Sequence, residues 1–218
     1  MAETTYPTLN HLLTAVRECR ACERVLPLGP RPVLRASETA GILIVGQAPG
    51  AKVHASGIPW DDASGETLRA WMGIGKETFY DDAKVAIIPM GYCYPGRGKG
   101  GDNPPRRECA ELWLDQLLAK MPQVKLTLLI GQYAQRHFLG RQRKASLTET
   151  VRAWREYNPQ YFPLVHPSPR NTPWQQRNPW FAAELLPALR AQVSAALQQH
   201  GRPQAGCEPA DMVKLGPK

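Results

Sequence analysis

Residues 41–50 read GILIVGQAPG. GILIV at 41–45 is an apolar run with no polar alternation. Such a run reads as a strand buried on both faces, as parallel strands are between two helical layers. It ends in GQAPG, where two glycines and a proline shape a strand exit that allows close backbone approach to a ligand. Two further runs have the same character, KVAII at 84–88 and LTLLI at 126–130. A fourth, YFPLV at 161–165, is broken by Pro163 and belongs toward a sheet edge.

The segments between these runs have helical periodicity. Leu114, Leu117, Leu118 and Met121 recur at i, i+3, i+4 and i+7. Phe181, Leu185, Leu189, Val193 and Leu197 recur every four residues, with Asn178 expected as N-cap and Pro179 as the first helical residue. Another helix is expected after Ser64, through Leu68, Trp71 and Met72. Alternating strands and helices predict an α/β fold, a three-layer α/β/α sandwich on a mostly parallel four-stranded sheet. One domain is expected over 1–200, followed by a mobile tail at 201–218. Ligands in such folds bind at the carboxyl ends of the strands. GQAPG, PMGYCYPG, GQYAQ and HPSPRN are therefore expected along one rim.

The chain has 218 residues and a formal net charge of +8. Its basic residues are bunched: Arg97, Lys99, Arg106 and Arg107 flank Asp102, and a second group runs from Arg136 to Lys144. Such patches favour nucleic acid through counterion release, the alternative being a solvated basic surface. No membrane-length apolar stretch and no basic-then-apolar leader is present, so a cytoplasmic protein is expected.

Taken together, Gly46-Gln47-Ala48-Pro49-Gly50 and His166-Pro167-Ser168-Pro169 resemble the two motifs of the uracil-DNA glycosylase superfamily. That family carries GQDPY, GEAPG or GLAPA after its first core strand and HPSP near its end. The resemblance spans about residues 10–195. It implies a monomeric, nucleoid-associated bacterial-type repair enzyme that binds damaged DNA, single- or double-stranded. Such an enzyme flips a deaminated or damaged base, uracil first among them, and hydrolyses its N-glycosidic bond. His166 would stabilise charge on the departing base. Trp60, in GIPWDDASG, takes the place of the family's base-stacking Phe. Gly46 and the backbone amides of Gln47 and Ala48 would meet the base or position water, and Ser168, Arg170 and Asn171 would meet DNA. Arg170 stands where a leucine wedge is common.

The sequence also departs from the family. The Asp of GQDPY is Ala48, the carboxylates that follow GEAPG fall on Val53 and His54, and the uracil-reading Asn falls at Pro89 or Met90. Gln47, His54, Asp61 and Asp62 are the residues able to compensate, although the two acids also suit the N-terminus of the next helix. A DNA-lesion binder using the same pocket without catalysis is the alternative function, and an iron–sulfur protein unrelated to nucleic acid is a third.

Cys19 and Cys22 form a C-x2-C pair, with Cys93 and Cys109 far along the chain. Four such residues suggest a metal or iron–sulfur site before disulfides, and the spread is wider than the compact pairs usual for zinc. The pattern resembles the iron–sulfur (family 4) branch of the same superfamily, which implies a [4Fe–4S] cluster, with zinc or no metal as alternatives. Four buried small hydrophobes would explain the cysteines without any metal.

Overall fold

The computed structural model describes residues 6–200. The tail expected at 201–218, with Cys207, lies outside the described residues. Strands β1 (Ile42–Val45), β2 (Val85–Ile87), β3 (Arg97–Gly98), β4 (Gly101–Asp102), β5 (Leu126–Ile130) and β6 (Tyr161–Leu164) form two sheets. The central sheet has the order β2-β1-β5-β6, and every pair in it is parallel. An antiparallel bridge from Arg35 to Ile87 extends its β2 side. β3 and β4 make a short antiparallel hairpin that pairs Arg97 with Asp102.

The helices are α1 (Leu9–Arg17), α2 (Ala51–Ser56), α3 (Ala63–Met72), α4 (Lys76–Phe79), α5 (Arg107–Cys109), α6 (Asp115–Ala119), α7 (Gly131–Leu139), α8 (Leu147–Arg152), α9 (Thr172–Arg177) and α10 (Leu186–His200). Successive strand side chains point to opposite faces. Ile42, Ile44, Leu128 and Leu164 accordingly pack against α3 and α10 through Leu68, Trp71, Leu189 and Val193. Leu43, Val45, Ala86 and Leu129 pack against α1, α6 and α7 through Leu12, Leu117 and Ala134. Three layers with a core on each side of the sheet follow directly. Truncating one of these fully buried leucines to alanine would cost about 2–5 kcal/mol.

Pro163 sits in β6, which among the described residues pairs only with β5, Pro163 lying opposite Leu129, so its missing N–H breaks no second ladder. Two helix readings need correction. The segment carrying Leu114, Leu117 and Met121 is not one α-helix. A π turn at Ala110–Leu114 separates α5 from α6, and Met121 lies past the helix end, although all three side chains are buried. Asn178 also does not cap by its side chain. Its carbonyl accepts the first helical bond from Phe181 N, but its amide donates to Trp174 O and accepts from Trp180 Nε1. Packing two indoles outweighs a side-chain cap there. The stripe Phe181, Leu185, Leu189, Val193 is buried as expected. Among the described residues no helix is long and apolar enough to cross a membrane.

Candidate active site and cysteine pocket

The exits of β1, β2 and β6 converge on a cleft of about 790 Å³. Gly46 to Val53 form its floor, Trp60, Pro89 and Tyr94 one wall, and His166, Ser168, Arg170 and Asn171 another. The β3–β4 hairpin closes a side with Arg97 and Asp102. The β5 exit is absent from this rim, contrary to expectation. Gly131 enters α7 at once, and the buried Gln135 amide donates to Leu129 O and Leu164 O, tying β5 to β6.

Trp60 is held in an uncommon conformation. Its φ is +58°, a region that non-glycine residues seldom occupy and that costs on the order of 1–3 kcal/mol. Neighbours fix it there: Tyr80 Oη donates to the carbonyls of Pro59 and Trp60, and Arg69 Nη1 donates to Trp60 O. Gly65 lies so close that a Cβ there would stand 1.8 Å from that carbonyl. A Cβ on Gly46 would likewise lie 3.0 Å from Trp60 Cζ2, so the indole rests on the bare backbone of the first motif. Its ring centroid is 5.6 Å from that of His166. Gly65, Arg69 and Tyr80 escaped the sequence reading, because nothing local to them marks a contact with Trp60.

His166 is half-buried in the cleft wall. Burial lowers its pKa below the ordinary histidine value, and the nearby Asp62 and Asp102 charges oppose that shift. The loop after it is self-braced, since Asn171 Nδ2 donates to His166 O at 2.7 Å and Ser168 Oγ accepts from Arg170 N. The Asn171 amide thus positions the histidine's own backbone. Arg170 is exposed, and its Nη1 donates to Gly100 O across the cleft.

Ala48 and Gly50 give the floor no carboxylate, and Gln47 Nε2 donates to Asn103 O, bracing the hairpin. Asp62 is the N-cap of α3, accepting from Gly65 N at 2.9 Å, while Asp61 is exposed and outside the cleft wall. The helix therefore starts at Ala63, before Ser64, because the Asp62 cap defines it. His54 lies behind the floor, its ring centroid 6.2 Å from that of Tyr94; burial and the Arg31 charge lower its pKa.

The four cysteines meet. Cys19 and Cys22 follow α1, Cys93 follows β2 and Cys109 sits in α5, yet all four line one small pocket. No set of three or more His, Cys, Asp or Glu among the described residues is arranged as a metal-ion site. What the cysteines share is a pocket wall. Burial pushes the Cys109 thiol up to about 12 although Tyr92 N donates to its sulfur, and burial also raises Cys93. Tyr92 Oη, Arg106 Nε and Trp113 Nε1 reach into the same surroundings buried and without a partner. Three orphaned donors beside four thiols fit an electron-rich occupant, since an unsatisfied buried donor otherwise costs about 1–3 kcal/mol.

Residues 35–190 match the family model described as the uracil DNA glycosylase superfamily.

Proposed function

The chain belongs to the uracil DNA glycosylase superfamily, and from that premise we propose that it removes a deaminated or damaged base, uracil first, from DNA by hydrolysis. The observation that carries this reading is the meeting of Trp60 and His166, 5.6 Å apart, over the GQAPG floor of one cleft. A flipped base enters the cleft and stacks on Trp60, a contact worth about 1–3 kcal/mol. The backbone amides of Gln47 and Ala48 face its carbonyl groups. As the glycosidic bond lengthens, negative charge grows on the base, and His166 donates a hydrogen bond to it. The lowered pKa suits this role, because a neutral imidazole still offers one N–H donor and need not be protonated first. Arg97 and Arg170 line the cleft and supply the phosphate contacts.

The proposal extends to Cys19, Cys22, Cys93 and Cys109 as the ligands of a [4Fe–4S] cluster, supported by their common pocket and its three unpaired donors. Once bound, such a cluster would act as a cross-link between α1, the β2 exit and α5.

The test is an abasic-site assay on labelled single strands and duplexes containing uracil, hypoxanthine or xanthine. Cleavage that is lost in His166→Asn while DNA binding survives is the expected outcome. Binding without cleavage of any substrate by the unmodified protein would establish a lesion binder instead.

A further inference from the structure

Position 48 is alanine, so the cleft floor offers no carboxylate to the attacking water. Resting on the glycosylase reading of this cleft, we propose that Asp102, carried on the β3–β4 hairpin, is the catalytic general base that takes the water's proton. The side chain lines the cleft and leans over the first motif, where a Cβ built on Gly50 would stand 3.4 Å from its Oδ2. Among the described residues its carboxylate makes no hydrogen bond or ion pair, so both oxygens remain free to hold water. The other acid on the wall, Asp62, has an oxygen committed to the cap of α3.

The hairpin is built to hold this residue in place. Asn103 N donates to Gly96 O at 2.8 Å, and Asn103 Nδ2 donates to Pro95 O. Gln47 then binds the Asn103 carbonyl from the floor, and Arg170 binds Gly100 O from the opposite wall. Gln47 is therefore a positioning residue, linking the first motif to the acid that replaces its missing carboxylate. Asp102 is also close enough for its charge to act on His166.

The step balances without a further reagent. The C1′–N bond breaks and its electron pair leaves on the base, whose charge His166 meets. Water oxygen bonds to C1′, and its proton passes to Asp102 and then to solvent. A positioned general base contributes typically 10²–10⁴-fold.

The experiment compares wild type, Asp102→Asn and Asp102→Glu in single-turnover cleavage of whichever base wild type removes, with Kd measured on the same DNA. Asp102→Asn is expected to slow cleavage at least 100-fold with Kd within threefold, and Asp102→Glu to exceed Asp102→Asn at least tenfold. Cleavage by Asp102→Asn within threefold of wild type overturns the assignment. So does a loss explained by weaker binding, or an equal loss in both variants. A wild-type protein that cleaves nothing overturns the glycosylase reading and this assignment together, whereas active wild type with active Asp102→Asn removes only the latter.

Discussion

At the scale of single residues, the sequence named the side chains that line the cleft better than those that hold them. His166, Trp60 and the GQAPG backbone line one cleft, because each follows directly from a strand end or a short rigid loop. Asp102 was visible only as the one acid in a basic run, and its nearness to Gly50 needed the hairpin to fold back. The lowered pKa of His166 gives two consequences with defined sign. Activity that needs the neutral ring stays level through neutral pH and falls as pH drops through the depressed folded value, measurable as the acid limb of kcat. Stability moves the same way. An unfolded histidine protonates near about 6.5, whereas the folded one resists. Unfolding therefore takes up a proton below that pH, and stability declines as pH falls through the window between the two values. Denaturant titrations at pH 7.5 and 5.5 should show this slope in wild type and a smaller one in His166→Asn.

At the scale of elements, the strands were legible because a run of Ile, Leu and Val between turn residues has few other uses. The π turn at Ala110–Leu114 was not, since its side-chain spacing imitates an ordinary helix. Nor was the β3–β4 hairpin, whose glycine-rich strands carry no alternating pattern. The loop that presents Trp60 depends on α3 pressing Gly65 against its carbonyl. Gly65→Ala should therefore displace the indole and weaken binding to base-containing DNA at least tenfold, with the thermal midpoint lowered; unchanged affinity would show that Trp60 is held by Tyr80 and Arg69 alone. The cysteine pocket also joins separate elements. Protein purified without oxygen should be brown, absorbing broadly near roughly 400 nm, and Cys93→Ser with Cys109→Ser should remove the colour and lower the melting temperature. Colourless wild-type protein carrying zinc would assign the pocket to a different metal.

At the scale of the whole molecule, a chain of net charge +8 carries a cleft lined by Lys52, Arg97 and Arg170 and by two acids, Asp62 and Asp102. On the proposed function, phosphates would be drawn to Arg97 and Arg170 on the rim and the base would be read inside. Affinity for DNA should fall linearly on a logarithmic salt scale, and Arg170→Ala should reduce that slope by about 0.9 if it neutralises one phosphate. An unchanged slope, measured by anisotropy between low and moderate salt, would confine Arg170 to bridging the hairpin. The sequence by itself determined the layered α/β fold, the edge position of the Pro163 strand and the motifs around His166 and Trp60. These depend on local pattern, because strand burial, proline geometry and loop rigidity act over a few residues. Only the tertiary structure decided that the β5 exit stays out of the cleft, that four distant cysteines share one pocket, and that Asp102 leans over an alanine-bearing floor. Those are meetings between segments far apart in the chain, set by how two helical layers and a hairpin close on the sheet, and no local pattern encodes them.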